Sequence, residues 1–249
     1  PVIIISPTDS NLILEGSDTR RKYLDSSISL FQKSYLKNLI NYNKVLKQRN
    51  SLLKQFSERN YFDEITLENF NNQLVVFGNE IHSQRQSFLE LLTPVFNKYY
   101  QQISSANETV NLSYKSQLNE GSFNSLLNDG LVKDRISHHT SVGIHKDDIL
   151  FEMNGHPVKK IGSQGQQKSF LISLKLAQFD FITKKLGFKP ILLLDDIFDK
   201  LDDNRVEQLI SFTSKGLFSQ VFITDTHEKR SKEILNKTGI DFNIFKIDN

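Results

Sequence analysis

The sequence predicts an α/β fold that carries an inserted antiparallel pair of long helices. Strand-like and helix-like segments alternate from about residue 109 onward, which is typical of α/β proteins. The apolar run Ile-Leu-Leu-Leu at 191–194 is typical of a strand buried on both faces of a parallel sheet. Between residues 28 and 103, two apolar stripes recur at helical spacing and predict the long helices.

The first elements are predicted to be a short strand and a helix. Residues 2–5 form an apolar, β-branched run that a Ser-Pro pair closes. A helix is expected after Gly16, where Ser17 or Asp18 can cap its amino terminus. Because the sequence begins inside a strand and without Met, we expect it to be an interior piece of a longer chain.

The two apolar stripes are separated by an interruption at 60–63, so they predict an antiparallel helical hairpin. The first stripe runs from residue 28 to 56, and Arg49 occupies one of its apolar positions. The second runs from 70 to 103 and contains Pro94, which predicts a kink or a break. The spacing is compatible with a coiled coil and with ordinary helix packing, and both remain open.

The segment after residue 109 supplies the remaining elements. Gly187 and Pro190 mark the end of its longest helix. The predicted strands and helices lie at 110–114, 149–153, 164–186, 191–194, 203–215 and 221–223.

The composition excludes several classes of protein. The 249 residues include no cysteine, which excludes disulfides and thiolate metal sites and leads us to expect a cytoplasmic location. No apolar run approaches the roughly 18 residues needed to span a bilayer. The net charge of +2 excludes a globally basic coat protein for nucleic acid. Residues 31–60, however, carry seven basic residues against one acidic residue, a local charge of +6 that is typical of a phosphate-binding surface or a solvated helix face.

Two carboxylates, Asp195 and Asp196, follow the apolar run at 191–194. A strand of this kind places them at the carboxyl edge of a parallel sheet, where ligand sites of α/β proteins form. In P-loop nucleotide hydrolases the first such Asp holds Mg²⁺, and the next acidic residue can orient the attacking water. Solvated carboxylates also end many strands that have no catalytic function, so this pattern alone is weak.

A second candidate site is the turn Gly-Ser-Gln-Gly-Gln-Gln-Lys at 162–168. Its two glycines allow the backbone to approach a phosphate closely, and Ser163 adds a hydroxyl donor. The helix that follows supplies a positive amino terminus with free N–H groups. A flexible turn with a serine cap is the alternative interpretation.

The order of these patterns resembles the carboxyl-terminal lobe of an ABC-type ATPase head. The turn at 162–168 is similar to the ABC signature, the strand with its two carboxylates is similar to Walker B, and residues 199–202 are similar to the D-loop. Within this group the chain resembles the RecF family of recombination-mediator ATPases, which are related to SMC heads. The stretches that carry this resemblance are 6–25, 42–53, 143–148, 165–168 and 194–202.

The resemblance implies a role for each matched residue. Asp195 would hold Mg²⁺ through water, and Asp196 would serve the water that attacks ATP. Ser163 and Gly165 would meet the γ-phosphate of a nucleotide held by a second subunit, and Asp202 would lie at the seam between the two heads. The positions expected to contact the nucleotide are Ser163, Gln164, Gly165, Gln166, Lys168 and Asp202.

The sequence departs from the family pattern in places. No glycine is followed by lysine, so the Walker A loop that wraps nucleotide phosphates is missing, and in the family it lies upstream of the Ser-Pro segment. This chain alone is therefore expected to be inactive as an ATPase. Ile144 stands where the family has Pro in its Gly-Pro-His-Arg-Asp-Asp element. The switch position falls near Asp225 or His227, and neither is assigned.

The implied function is an ATP-dependent homodimer on double-stranded or gapped DNA that hydrolyses ATP slowly. It would support RecA loading with the partner RecR in gap repair and replication restart, without membrane involvement. Two alternatives remain open, namely a non-catalytic DNA-binding or interaction fragment and another SMC-type head fragment. The predicted domains are a head segment at 1–27, a helical arm at 28–105 and the ATPase lobe at 106–249.

Basic residues of the first long helix are candidates for DNA binding. Lys44, Lys47, Arg49 and Lys54 would give salt-dependent, sequence-independent contacts to phosphates if they line one face of the arm. A solvated helix face is the alternative.

Three histidines invite a metal-binding interpretation. His138, His139 and His145 lie near two carboxylates on a predicted loop, but their spacing matches no standard zinc site. A polar turn without metal is the favoured interpretation.

Overall fold

The computed structural model divides the chain into two compact units. Unit 1 comprises Pro1–Leu14, Leu92–Val110 and Met153–Asn249, and unit 2 comprises Glu15–Leu91 and Asn111–Glu152. The three predicted domains stay a prediction beside this division, which groups residues 111–152 with the first long helix. The structure describes residues 2–104, 108–195, 209, 211–212, 218–226, 231–233, 235–236, 239 and 241–247.

Unit 1 contains a parallel sheet, as the sequence predicts, and within the described residues its three strands lie in the order Val2–Ile5, Ile191–Asp195 and Val221–Thr224. β1 is Val2–Ile5, β5 is Ile191–Asp195 and β6 is Val221–Thr224. On one face of β5, Leu192 and Leu194 are buried, whereas the residues of the other face are only half-buried. The expectation that β5 is buried on both faces is therefore wrong, because the described part of unit 1 covers only one face completely.

The longest helix wholly within unit 1, α8, spans Gln164–Leu186, as predicted. Gly187 ends it in the left-handed conformation, with φ at 75°. Buried side chains surround most of its circumference, and the ring of Phe170 lies 4.7 Å from that of Phe96. A helix that is apolar nearly all round belongs inside a core. The other elements of unit 1 are α1 (Asn11–Leu14), β4 (His156–Pro157) and α7 (Val158–Ile161).

Unit 2 contains the predicted helical hairpin, formed by α3 (Lys33–Arg59) and α4 (Glu64–Ser104), whose last turns continue into unit 1. Asn60 ends α3 with φ at 50°, and the chain reverses there. No helix in the described part of the chain is long and apolar enough to cross a membrane. The other elements of unit 2 are α2 (Ser17–Ser29), β2 (Val110–Lys115), α5 (Phe123–Asp129), α6 (Leu131–Ser137) and β3 (Asp148–Met153).

Two details of the predicted hairpin differ in the structure. The stripe from 28 to 56 does not form one helix, because α2 ends at Ser29 and Gln32 is extended before α3 begins. The ring of Phe31 stacks on Phe88 of α4 at 6.2 Å, a tertiary contact that the helical pattern does not reveal. Pro94 lies inside α4, which continues through it, so the predicted break is absent. The boundary between the two units falls less than one turn before this proline.

A buried arginine, Arg85, ties together several elements of unit 2. Its guanidinium is 99% shielded from solvent and lies 2.8 Å from Asp25 of α2 and 3.1 Å from Asp147. It also donates to the carbonyl of Ile144 at 2.8 Å. Asp147 therefore belongs to the interior of unit 2, where a buried charge is retained because it is paired and hydrogen-bonded.

Candidate functional site

The carboxyl ends of β5 and β6 bring together polar side chains in unit 1. Asp195 ends β5 beside Thr224 of β6, and the Thr224 hydroxyl donates to Asp195 Oδ1 at 2.6 Å. The Asp195 carboxylate is exposed. Asp225 follows directly and accepts a hydrogen bond from the Ser231 hydroxyl. The structure thus presents an accessible carboxylate at the edge of the sheet where α/β proteins bind ligands.

The turn before α8 is a capped helix start. Ser163 is the N-cap, and its hydroxyl accepts from the backbone N–H of Gln166 at 3.3 Å. The Gln166 side chain in turn accepts from the backbone N–H of Ser163 at 2.8 Å, which completes a capping box. This cap uses the N–H of Gln166, whereas the N–H groups of Gln164 and Gly165 have no intrahelical partner.

A residue that the sequence does not predict, Glu108, holds this turn. Its Oε1 accepts from the Gln166 side-chain amide at 2.6 Å, while its Oε2 is buried without a hydrogen-bond partner in the described chain. Glu108 lies 58 positions before Gln166, and no local pattern connects the two. The contact keeps the Gln166 side chain in the orientation that closes the capping box.

Basic side chains gather near the same helix start. Lys168 is half-buried one turn into α8, and no ion pair or hydrogen bond links its ammonium to another described residue. Lys159 and Lys160 lie in the last turn of α7, and the Lys159 ammonium donates to the carbonyl of Leu14. A cation near a helix amino terminus is unfavourable there unless an anion is bound, since the helix dipole is already positive.

The structure locates part of the predicted site. The predicted signature residues Ser163, Gln164, Gly165, Gln166 and Lys168 lie together at the start of α8, and Asp195 lies at the end of β5. Asp196, Asp202 and the residue at 227 lie outside the described residues, so their predicted roles stay predictions.

The predicted DNA-binding residues divide into two groups. Lys44, Lys47 and Lys54 are exposed on α3, and the helical spacing places Lys33 and Lys37 on the same face. This row of ammonium groups extends about 30 Å along the helix axis, at a rise of roughly 1.5 Å per residue.

Arg49 is a correction to the sequence prediction. Its side chain is fully buried and lies 2.7 Å from the Asp134 carboxylate, so it cannot contact DNA from this position. Asn71 and Thr140 accept further hydrogen bonds from its guanidinium at 2.7 and 2.8 Å. Its position in the apolar stripe of α3 was the signal for burial.

The three histidines of the 138–145 segment differ in exposure, since His139 is exposed and His138 and His145 are half-buried. Within the described ranges, no cluster of His, Asp or Glu could hold a metal ion. His145 is instead a partly buried residue of unit 2, and this burial lowers its pKa to about 4. A carbonyl oxygen can only accept, so the His145 Nε2 donates to the Thr140 carbonyl at 2.9 Å. A neutral imidazole carries one proton, and its Nδ1 therefore accepts from the Tyr42 hydroxyl at 2.8 Å.

Comparison with known proteins decides the family. No general family model matches the chain. It is 51% identical over 247 residues to the DNA replication and repair protein RecF of Flavobacterium johnsoniae, which covers 99% of this chain and 69% of that protein. The RecF of Parabacteroides distasonis is 46% identical, covering all of this chain and 67% of that protein. The chain belongs to the RecF family.

A solved structure agrees with this assignment. The recombination mediator protein RecF with ATP, from the RecFOR pathway, has a TM-score of 0.81 and 34% identity to this chain. The match covers 92% of this chain and 62% of that protein. The predicted RecF-like head of the ABC type, with its inserted helical arm, is therefore confirmed. The chain spans about two thirds of the length of its RecF relatives.

Proposed function

We propose that the chain is part of a RecF-type DNA repair ATPase of the cytoplasm that dimerises on DNA when ATP binds. The observation that carries this proposal is the capped turn at Ser163, where the first N–H groups of α8 lack intrahelical partners and Lys168 follows one turn later. In this reading, the turn contacts the γ-phosphate of nucleotide held by a second copy. Slow ATP hydrolysis would then separate the two heads.

The residues of the site fit ATP and Mg²⁺ by the chemistry of their donors. Asp195 offers exposed carboxylate oxygen, the ligand type that Mg²⁺ prefers. Gly162 keeps the signature turn tight, since a Cβ there would lie 2.8 Å from the Val158 carbonyl. Ser163 and Gly165 would hold phosphate oxygens, and Asp196 and Asp202 keep the catalytic and dimer-seam roles proposed for them. ATP supplies the phosphoryl group that is transferred to water.

Double-stranded or gapped DNA is the proposed substrate of the arm. The exposed lysine row on α3 offers positive charge without side chains arranged to read bases. Affinity should therefore fall steeply with salt and depend little on sequence. Binding to a duplex that is unaffected by salt would contradict this part of the proposal.

The biological role proposed for the dimer is to support RecA loading in gap repair and replication restart, with RecR as protein partner. The RecF names of the relatives, and the description of the solved structure as a recombination mediator, support this role. The direct measurement is co-elution of purified RecR with the ATP-bound dimer, and failure to co-elute would remove RecR from the proposal.

The test of dimerisation is Ser163→Arg in the product of the complete gene. The arginine removes the cap and fills the space in front of the α8 amino terminus, so ATP-driven dimers should disappear. ATP binding by the monomer should persist, because the turn serves nucleotide held by the other copy. Light scattering after size exclusion, with and without ATP, measures the first effect, and titration with a fluorescent ATP analogue measures the second.

Ser122→Arg is the matched control. Ser122 is also an exposed N-cap, and its hydroxyl accepts from the backbone N–H of Ser125 at 3.2 Å, but it begins α5 in unit 2. This variant loses a comparable cap and should still dimerise. Dimers that survive Ser163→Arg, or that are lost equally in Ser122→Arg, would overturn the role of the signature turn.

A further inference from the structure

An apolar groove lies at the tip of the hairpin in unit 2. Its volume is about 460 Å³, within the range of sites that bury a few side chains of a ligand. Phe56 and Phe62 form part of its lining on the hairpin side, and Val132 and Ile136 of α6 form part of it on the other.

The lining combines a buried floor, with Phe56 only 7% exposed, and apolar side chains that are open to solvent. Tyr61 is 62% exposed, Val132 is 72% exposed and Ile136 is 78% exposed. Isolated exposed apolar residues are ordinary, but a contiguous group around a concave surface marks a place where another molecule binds. All of these residues lie within one compact unit, so the groove is a property of unit 2 itself.

Arg135 gives the groove a positive charge. The guanidinium of Arg135 lies 4.5 Å from the centre of the Phe62 ring, and the ring face holds it beside the apolar lining. Arg135 is exposed and forms no ion pair with a carboxylate among the residues that the structure describes. Among the residues of known placement, no acidic side chain lines the groove. A ligand that pairs with Arg135 must therefore bring its own negative charge.

We propose that this groove binds a short segment of a partner protein that presents a bulky apolar side chain next to a carboxylate. The apolar side chain would displace water from Val132 and Ile136, and the carboxylate would pair with Arg135 in the bidentate geometry that guanidinium favours. A second copy of the chain is a poorer occupant, since self-pairing of the groove would bring two Arg135 side chains together. Duplex DNA is also poorer, because a mostly apolar lining does not match phosphates.

The experiment pans a phage library of random 12-residue peptides against the folded chain and then measures a synthetic copy of the enriched peptide by fluorescence anisotropy. The expected consensus places Leu, Phe or Trp within a few positions of Asp or Glu. Ile136→Glu should weaken the peptide at least 10-fold, and Arg135→Glu should shift the panned consensus from acidic to basic peptides. Both positions are exposed, so both variants should fold, and circular dichroism verifies this.

Val76→Glu is the matched control. Val76 is 66% exposed on α4 and does not line the groove, so peptide affinity should be unchanged. The proposal is overturned if no consensus is enriched, or if the enriched peptide binds both groove variants as tightly as the unaltered chain. It is also overturned if the chain self-associates and Ile136→Glu abolishes that association, since the occupant is then a second copy.

Discussion

The two sides of α3 carry the same charge in opposite environments. On the inner side, Arg49 is fully buried, and its Nε and Nη1 donate to one carboxylate and two neutral oxygen acceptors, while its Nη2 has no hydrogen-bond partner among the described residues. On the outer side, Lys44 and Lys47 are exposed to solvent. A buried charge is tolerated only where partners surround it, whereas exposed charges contribute little to stability and remain free for other molecules. The difference separates residues that hold the arm together from residues that can bind DNA.

The buried charges of unit 2 connect segments that are distant in sequence. Arg49 pairs with Asp134, which is 85 positions away, and Arg85 pairs with Asp147, which is 62 positions away. Asp134 also accepts from the backbone N–H of Ser141 at 2.8 Å. Removing one partner of such a pair leaves the other charge buried and unpaired, which costs more than the pair contributes when intact.

The largest effect is therefore expected for Arg49→Met. The substitution leaves the Asp134 carboxylate buried without its cation, and we expect the free energy of unfolding to fall by about 3 to 5 kcal/mol. Urea denaturation followed by circular dichroism measures this loss. DNA affinity per folded molecule should not change, because Arg49 does not reach the surface.

Lys47→Met is the control on the outer side of the same helix. Lys47 is exposed, so its replacement should change the free energy of unfolding by less than about 0.5 kcal/mol. Equal losses of unfolding free energy in the two variants would show that the buried charge of α3 does not stabilise the fold more than the exposed one.

The second largest effect is the pH dependence that His145 gives to the free energy of unfolding, a change of about 3 kcal/mol. Burial lowers the pKa of this imidazole to about 4, against about 6.5 in an unfolded chain. As the pH falls from about 6.5 to 4, the unfolded chain binds a proton at this position and the folded chain does not. The stability that His145 contributes is therefore complete above pH 6.5 and is lost progressively down to pH 4. Urea unfolding at half-unit pH steps measures the slope.

Comparison with His145→Gln isolates this contribution. Burial raises the pKa of Asp147, so that carboxyl group acts in the opposite direction and stabilises the fold as the pH falls. Because Asp147 is present in both proteins, the difference between their pH profiles belongs to His145. Identical profiles for the unaltered protein and His145→Gln would contradict the buried, neutral imidazole.

Local patterns predicted the elements of unit 1 well. The bounds of α8 follow from a serine cap at 163 and a left-handed glycine at 187, and β5 follows from its apolar run. Tertiary contacts decided what the patterns missed. The break before α3 accompanies the stacking of Phe31 on Phe88. The hydrogen bond between Glu108 and the Gln166 side chain joins residues 58 positions apart.

The assignment of Arg49 shows why composition alone misleads at a site. Counting charge along 31–60 groups it with the lysines, but its place in the apolar stripe predicts that it points inward. Its partner Asp134 lies on α6, and no spacing rule in the sequence connects the two helices. The place of Asp195 is easier to predict, since the end of an apolar strand fixes it at one edge of the sheet.

The smallest effect on stability, and the clearest effect on binding, is expected for the outer side of α3. Replacing Lys44, Lys47 and Lys54 together by Ala should leave the free energy of unfolding nearly unchanged, because all three are exposed. In a plot of the logarithm of the DNA association constant against the logarithm of salt concentration, the slope should become shallower by about 0.9 for each phosphate contact removed. Fluorescence anisotropy with a labelled duplex at several salt concentrations measures this slope.

The control variant has Lys22, Lys115 and Lys185 replaced by Ala. It has the same net charge as the first triple variant, and its slope should equal that of the unaltered protein. If both triple variants lose slope equally, net charge rather than this face of the arm attracts DNA, and if neither does, the lysine row is only a solvated surface.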